Sequence, residues 1–311
     1  MAIVSVQNLV KRYGDLLALD HFNLSIEEGE IFGLLGPNGS GKTTAINCIL
    51  QLLTYDKGSI ELFGQPMGPT RYDLKRRIGI VPQNVAVFEE LTVRENIDYF
   101  CGLYIDDAAE RRRLVADAIE FVGLEDFERT RPRKLSGGLL RRLNIACGIA
   151  HRPDLAFFDE PTVAVDPQSR ASILAGIQAM NEAGTTVVYT SHYMEEVEEV
   201  CTRLMIMDHG RALALGTPSE LKAESGARER IEIDLEHLPQ AAALRLQALP
   251  AVQALRYEAP TLYLTCENGD HNTADVLAVL AECGAAPGRI WAQPPTLNDV
   301  FLEITGRELR D

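Results

Sequence analysis

The sequence has few cations and no long apolar segment. Lys and Arg number 30 against 45 Asp and Glu, which gives a formal net charge of −15. Surfaces that hold nucleic acid need clustered Lys and Arg, so this balance predicts no nucleic-acid partner, although it leaves room for a local basic pocket. No apolar run approaches the roughly 18 residues of a membrane-spanning helix, and the first residues, MAIVSVQNLVKRY, lack the apolar core of a signal peptide. We therefore expect that the chain does not cross a membrane by itself.

Cysteine is scarce and scattered. The cysteines form no C-x-x-C pair and have no histidine at metal-ligand spacing: Cys48, Cys101, Cys147, Cys201, Cys266 and Cys283. This predicts buried free thiols in a reducing cytoplasm, with neither a metal cluster nor a disulfide framework. The rest of the composition is that of a globular protein, since 46% of the 311 residues are hydrophobic and 24% are charged. A packed core in one large or two ordinary domains is expected.

The order of strand-like and helix-like segments predicts an α/β domain in residues 1–220. The strand-like run EIFGLLG leads through a glycine-rich loop into a helix-like run, AINCILQLL. Residues 91–150 carry apolar residues three and four apart, which predicts an inserted helical subdomain. Beyond it, the strand-like LAFFDE and TTVVYTS alternate with helix-like segments, so we expect a mostly parallel sheet that helices cover on both faces.

A polar segment, TPSELKAESG, indicates a domain boundary at residues 217–226. The strand and helix patterns of residues 227–311 follow the order βαββαβ, which predicts a small C-terminal α+β domain of ferredoxin-like type. Its last segment begins with Thr296 as an expected N-cap and Asp299 three residues on, so a final helix is predicted.

Residues 36–43, GPNGSGKT, satisfy the phosphate-binding P-loop pattern completely. Its glycines let backbone N–H groups turn towards a polyphosphate, and the helix that starts near Lys42 adds its positive end. Lys42 would span the β- and γ-phosphates, and Thr43 would offer a hydroxyl to Mg²⁺. The residues expected to bind the nucleotide here are Gly36, Pro37, Asn38, Gly39, Ser40, Gly41, Lys42, Thr43 and Thr44.

The strand-like LAFFDE ends in two carboxylates, Asp159 and Glu160. At the carboxyl end of a parallel strand, Asp159 could hold Mg²⁺ or its water, and Glu160 could orient or deprotonate an attacking water. Beside a complete P-loop, this pair predicts that the nucleotide is hydrolysed and not merely stored.

With these motifs, residues 3–220 resemble the ATP-binding subunit of ABC transporters, which have a P-loop NTPase core with an antiparallel β subdomain and an inserted α-helical subdomain. The segment KLSGGLLRR is similar to the signature motif of that family. It contains no phosphate-binding lysine within its glycine loop. By this resemblance Ser136, Gly137 and Gly138 face the γ-phosphate of an ATP held by a second subunit, so the resemblance implies a head-to-tail homodimer with composite ATP sites.

Further positions resemble the family residue by residue. Tyr13 resembles the aromatic residue that stacks on adenine. Gln83 resembles the glutamine that contacts Mg²⁺ and water, Asp166 the aspartate at the dimer seam, and His192 the histidine that contacts the γ-phosphate. The resemblance thus implies Glu160, His192 and Gln83 as catalytic residues and Thr43, Gln83 and Asp159 as metal ligands.

Two positions depart from the pattern of the family. Leu139 stands where glutamine usually follows the glycine pair, and Ala164 stands where glycine is common near the seam aspartate. A lost neutral hydrogen bond is worth about 0.5–1.5 kcal/mol, so Leu139 is expected to weaken closure or change a rate about tenfold, without abolishing the site.

The segments EPTVAVDPQSR, SHYMEEVEEVC and PPTLNDVFLEITGR resemble the export branch of these ATPases, including multidrug and antibiotic-resistance ATPases and exporters of polysaccharide or nodulation factors. This implies ATP and Mg²⁺ as cofactors, a separate polytopic permease as partner, and a peripheral location at the cytoplasmic face of the cell membrane. The permease would dock near Gln83 and residues 84–96, which include apolar side chains without a core period.

Two other functions stay open from the sequence. One is an ABC ATPase acting in translation or DNA repair. Three features argue against it: the single cassette, the lack of a long heptad insertion and the excess of acidic residues. The other is a regulatory ATPase whose C-terminal domain senses a small ligand. A ligand that bound this domain and changed ATPase activity without any membrane partner would favour the regulatory function.

Overall fold

The computed structural model describes residues 1–163, 165–226, 228–267 and 271–306. Ala164 lies outside these residues. The chain forms two compact units, which divide between Pro218 and Ser219. Across the residues described, none of the helices combines the length and the apolar character that a membrane span requires.

The first unit contains two sheets and the helices around them. In chain order its elements are β1 (Ala2–Tyr13), β2 (Leu16–Glu27), β3 (Ile31–Leu35), α1 (Lys42–Ile49), β4 (Lys57–Leu62), β5 (Gln65–Pro66), α2 (Tyr72–Lys75), β6 (Ile78–Val81), α3 (Val93–Gly102), α4 (Ala108–Phe121), α5 (Gly137–Ile149), β7 (Leu155–Asp159), α6 (Pro167–Glu182), β8 (Thr186–Thr190), α7 (Met194–Val200), β9 (Arg203–Asp208) and β10 (Arg211–Gly216).

A six-stranded sheet of order β10-β9-β3-β8-β7-β6 forms the centre of the first unit. Its strands are parallel except β10, which pairs antiparallel with β9. The strands β3 and β8 are buried along their whole length, as is usual where both faces of a parallel sheet are covered. Because β3, β8 and β7 are neighbours, the P-loop and the end of β7 lie at one edge of the sheet. The predicted mostly parallel sheet is confirmed.

The second sheet of this unit is antiparallel, of order β2-β1-β4-β5, and the helices α3, α4 and α5 form the inserted helical subdomain. The start of α3 is a capping box between Thr92 and Glu95, and Asp107 caps α4. The buried Asn96 side chain exchanges hydrogen bonds with the backbone N–H and carbonyl of Phe88, which fixes the loop before α3. Both subdomains of the predicted fold class are confirmed.

The helix α8 (Pro218–Glu224) lies within the segment whose polar composition suggested only a boundary. Proline is favoured in the first turn of a helix, where its missing N–H costs nothing, and the residues that follow include the helix formers Glu220 and Lys222. Leu221 is buried, so an apolar contact adds to these local preferences.

The second unit has the ferredoxin-like order. Its elements are β11 (Glu229–Asp234), α9 (Gln240–Gln247), β12 (Val252–Glu258), β13 (Thr261–Cys266), α10 (Asn272–Glu282), β14 (Ile290–Gln293) and α11 (Leu297–Thr305). The strands form an antiparallel sheet of order β12-β13-β11-β14. The expected capping box of Thr296 and Asp299 begins α11. The sole tryptophan of the chain, Trp291, lies in β14 and is 48% exposed.

His151, just after α5, joins two parts of the first unit. Its Nε2–H donates to the carbonyl of Ile78 in β6 at 3.1 Å. Its ring stacks on Tyr104, which follows α3, with 3.8 Å between the ring centroids. Burial lowers the pKa of His151 to about 4. The folded protein therefore holds this imidazole in its neutral form.

This burial predicts a loss of stability in acid. Because the folded pKa of His151 lies below the unfolded value of 6.5, the unfolded chain binds more protons between these values, and stability falls as the pH drops through this window. At pH 5 the loss from this residue is about 2 kcal/mol relative to pH 7.5. Urea unfolding followed by circular dichroism measures it, with His151→Phe as the matched variant, which can still stack on Tyr104 but cannot be protonated. Equal pH dependence in both proteins would contradict the assignment.

Candidate nucleotide-binding site

The P-loop joins β3 to α1 in a conformation that depends on its glycines. Gly39 and Gly41 have φ angles of +83° and +107°, in the left-handed region that favours glycine. A Cβ atom on Gly36 would lie 2.3 Å from the carbonyl oxygen of Met207 and 2.5 Å from Oγ of Ser40. The loop therefore keeps its backbone close to the sheet, and the first N–H groups of α1 point out of the helix start.

The interior of this loop fits an anionic group. Lys42 is only 6% exposed, and its Nζ donates to the carbonyls of Gly36 at 2.6 Å and Pro37 at 3.2 Å. Within the described part of the chain Lys42 forms no ion pair, and Oγ of the buried Ser40 has no hydrogen-bond partner. Burial lowers the pKa of Lys42, and the charges of Glu160 and Asp159 act in the opposite direction. A buried cation and an unpaired hydroxyl in one cradle suit a polyphosphate.

The other loop residues named from the sequence take different places. Asn38 and Gly39 are exposed at the tip of the loop, and Pro37 also accepts a hydrogen bond from the backbone N–H of Ser40 at 3.0 Å. Thr44 is half-buried in the first turn of α1, next to the exposed Thr43. A substrate phosphate could therefore reach the side of the loop that carries Thr43.

Asp159 lies at the end of β7, opposite the start of α1. Its Oδ2 accepts a hydrogen bond from Oγ1 of Thr43 at 3.3 Å, and its Oδ1 accepts one from Oγ1 of Thr190 at 2.8 Å. Hydroxyl and carboxylate oxygens are the ligand type that Mg²⁺ prefers, so the pair of Thr43 and Asp159 fits this ion.

Glu160 has an unusual backbone that aims its side chain into the site. Its φ angle is +48°, uncommon for a residue other than glycine. Its N–H donates to Oγ1 of Thr190 at 2.9 Å, which holds this turn of the chain. Its Oε2 accepts from Nε2 of Gln83 at 2.8 Å and lies 3.5 Å from Nδ1 of His192. The structure thus brings together the three residues named as catalytic.

Ser136, Gly137 and Gly138 form a separate group at the start of α5. Ser136 caps this helix by accepting from the N–H of Leu139 at 3.3 Å. Gly138 packs against the start of α6, where a Cβ atom would lie 2.5 Å from Oγ of Ser169 and 3.0 Å from Oδ2 of Asp166. Asp166 caps α6, and hydrogen bonds from Ser169 hold its pKa below the ordinary value. Among the residues with described positions, no hydrogen bond or ion pair joins this group to the P-loop.

Tyr13 is the last residue of β1, and its side chain is 45% exposed. Nζ of Lys11 lies 5.0 Å from the centroid of its ring. A half-exposed aromatic ring can stack on a flat base.

The same chain organisation occurs in known proteins. A family model described as ABC transporter matches residues 19–163, and one described as the C-terminal domain of DrrA1-3-like ATP-binding proteins matches residues 216–305. The linearmycin resistance ATP-binding protein LnrL of Bacillus subtilis (strain 168) is 36% identical over 99% of this chain and 100% of its own length. The chain belongs to the ABC transporter family of ATP-binding proteins.

Two further comparisons agree with this membership. The Nod factor export ATP-binding protein I of Ralstonia nicotianae is 36% identical to this ABC ATPase over 99% of the chain and 95% of its own length. A solved dimeric structure of the ATP-binding cassette MJ0796, in a post-hydrolysis state bound to ADP and Pi, has a TM-score of 0.63 and 28% identity, and covers 69% of this chain and 98% of that chain. The prediction of an ATP-binding ATPase is confirmed.

The structure of this ABC ATPase adds site residues that the sequence did not reveal. Thr190 bonds both Asp159 and the backbone of Glu160, although it lies 30 residues further along the chain. The hydroxyl pair that ends TTVVYTS is the only signal for it in the sequence. At Leu139, the main-chain N–H makes the contact to Ser136, so this helix cap does not need a glutamine side chain.

Proposed function

We propose that this ABC ATPase powers an exporter as a head-to-tail homodimer that binds a separate polytopic membrane protein at the cytoplasmic face of the membrane. The observation that carries the proposal is the end-to-end similarity to LnrL, a resistance protein, and to a Nod factor export protein, because it includes the C-terminal domain as well as the cassette. The name of the Nod factor relative states export, and the resemblance of residues 160–170 and 191–201 to the export branch agrees with it.

Within one subunit, the proposed roles follow from the contacts at the end of the sheet. Lys42, Ser40 and the N–H groups at the start of α1 would bind the phosphates, and Tyr13 would stack on adenine. Thr43, Asp159 and Gln83 would hold Mg²⁺, which offsets phosphate charge when bound. Oγ1 of Thr43 and Oδ2 of Asp159 already lie 3.3 Å apart.

The hydrolytic step is assigned to Glu160. Its carboxylate would orient a water and take its proton, while Gln83 donates to Oε2 and holds the carboxylate in place. His192, 3.5 Å from the same oxygen, would contact the γ-phosphate. The group of Ser136, Gly137, Gly138 and Asp166 would complete the site of the partner subunit. Its separation from the P-loop of its own chain supports a site built from two subunits.

An apolar surface near Gln83 supports the proposed docking of a membrane protein. Phe88 and Tyr99 are 42% and 48% exposed, and their rings meet edge to face with 4.9 Å between the centroids. Phe100 stacks on Phe88 at 5.8 Å. Exposed aromatic groups after Gln83, which contacts Glu160, are suited to hold a partner whose movement depends on ATP.

Co-purification tests this function. We expect tagged Glu160→Gln protein, purified with ATP and Mg²⁺ from detergent-solubilised membranes of its host, to recover a polytopic membrane protein in about equal amount. The same variant with Phe88→Ser and Tyr99→Ser serves as the matched control and should recover much less of it. Recovery of ribosomes, DNA or only the ATPase itself would contradict the exporter function. Mass spectrometry identifies the partner.

A further inference from the structure

The helix α7 contains one buried carboxylate, Glu196. It is 2% exposed, whereas Glu195, Glu198 and Glu199 of the same helix are exposed. Moving an ionised carboxylate out of water is costly unless hydrogen bonds and an opposite charge replace the water. The groups that contact Glu196 therefore indicate which segments this carboxylate fixes in place.

Three hydroxyl groups donate to a single oxygen of Glu196. Oε2 accepts from Oγ1 of Thr162 at 2.8 Å, from the hydroxyl of Tyr189 at 2.7 Å and from Oγ of Ser191 at 2.9 Å. The other oxygen, Oε1, lies 3.1 Å from Nε of Arg170. Burial and the charge of Glu196 raise the pKa of Tyr189 well above its ordinary value, so this hydroxyl stays a donor.

Each of these partners belongs to a segment that carries a proposed site residue. Thr162 follows Glu160 by two positions, and Ser191 directly precedes His192. Ser191 also accepts from the N–H of Tyr193 at 2.9 Å, which shapes the turn that contains the histidine.

The remaining partners tie Glu196 to the sheet and to α6. Tyr189 stands in β8 immediately before Thr190, which holds Asp159 and Glu160. Arg170 lies in the first turns of α6, which Asp166 caps, and its guanidinium stacks 4.4 Å above the ring of Tyr193. Glu196 thus contacts three segments near Glu160: it accepts hydrogen bonds from the Thr162 segment and from the end of β8, and it forms an ion pair with α6.

We propose that Glu196 is a positioning residue for hydrolysis, which fixes the His192 turn and the start of α6 relative to Glu160. The proposal rests on the catalytic roles given above to Glu160 and His192. None of the contacts of Glu196 described above involves the P-loop or Tyr13, so nucleotide affinity does not depend on it directly. Its loss should slow turnover and leave ATP binding in place.

The test compares Glu196→Gln with Glu195→Gln, its exposed neighbour in the same helix. A neutral amide cannot form an ion pair with Arg170, and its NH₂ group replaces one of the two carboxylate oxygens that contact these partners. For Glu196→Gln we expect a kcat for ATP about tenfold lower with a KM within about twofold of the parent. Glu195→Gln should match the parent in both constants. An unchanged kcat for Glu196→Gln, or a raised KM with unchanged kcat, would overturn the proposal.

Two milder variants keep the test decisive if Glu196→Gln folds poorly. Tyr189→Phe and Ser191→Ala each remove one hydrogen bond to Oε2, and each should lower kcat about threefold without changing KM. Their combination should lower kcat by less than the product of the two single effects, because both act through one carboxylate. Independent effects, or none, would count against a shared acceptor. A separate ATPase assay of Glu160→Gln distinguishes failure of the two proposals. Full turnover of that variant would contradict the catalytic role of Glu160, on which the role of Glu196 rests.

Discussion

The Glu160→Gln variant is expected to bind ATP as the parent does and to lose about 100-fold or more of its turnover, the usual contribution of a general base. The substitution preserves the size of the side chain, and an amide oxygen can still accept from Nε2 of Gln83. It removes the charge and the site that takes a proton. Steady-state ATPase assays measure kcat, and equilibrium binding of a fluorescent ATP analogue measures affinity.

A second consequence separates this role from a structural one. A variant that binds ATP without hydrolysing it should accumulate the closed dimer, so its elution volume in size-exclusion chromatography should shift on addition of ATP and Mg²⁺. The parent protein should show a smaller shift because it resets by hydrolysis. Undiminished turnover of Glu160→Gln would remove this residue from the catalytic role.

The Lys42→Ala variant is expected to lose about 100-fold or more in affinity for ATP. Among the residues with described positions, its buried ammonium bonds only the carbonyls of Gly36 and Pro37, so its charge is available to the phosphates. Charge-assisted hydrogen bonds of this kind are worth about 1.5–3 kcal/mol each. Lys75→Ala is the matched control, since Lys75 also donates to a loop carbonyl, that of Pro69, but outside the site. Isothermal titration with ATP and Mg²⁺ measures both.

The same variant also tests the composite site. Mixing Lys42→Ala subunits with Ser136→Arg subunits leaves one intact site in each mixed dimer, if Ser136 serves the ATP of the partner. We therefore expect the mixture to regain ATPase activity that neither variant has alone, provided that one site suffices for turnover. Tight Mg²⁺-dependent binding of ATP by Lys42→Ala would refute the role of the lysine itself.

The P-loop and the acidic end of β7 were predictable because their function depends on neighbours in sequence. The glycines of residues 36–41 determine the backbone conformation of the loop locally. The change from apolar residues to two carboxylates in LAFFDE marks the end of the strand. The order of strands and helices in both units followed from local patterns for the same reason. The sequence does not predict the helix α8, because a polar composition is typical of a domain boundary, whereas its first-turn proline and its buried Leu221 favour a helix.

The contacts that support the site could not be predicted, since they join residues distant along the chain. Thr190 meets Glu160 across two neighbouring strands, and Arg170 meets Glu196 across two helices. No spacing or motif in a single sequence indicates that either pair is in contact. Gly138 could be placed in a glycine motif, but its close packing on Ser169 depends on how α5 and α6 cross.

The position of Trp291 decides what intrinsic fluorescence can report. The only tryptophan of the chain lies half-exposed in β14 of the second unit, and the first unit, which contains the P-loop, has none. Tryptophan emission therefore follows the environment of Trp291 in the C-terminal sheet. A change in emission when ATP is added would show, without any label, that nucleotide binding alters the surroundings of the C-terminal domain.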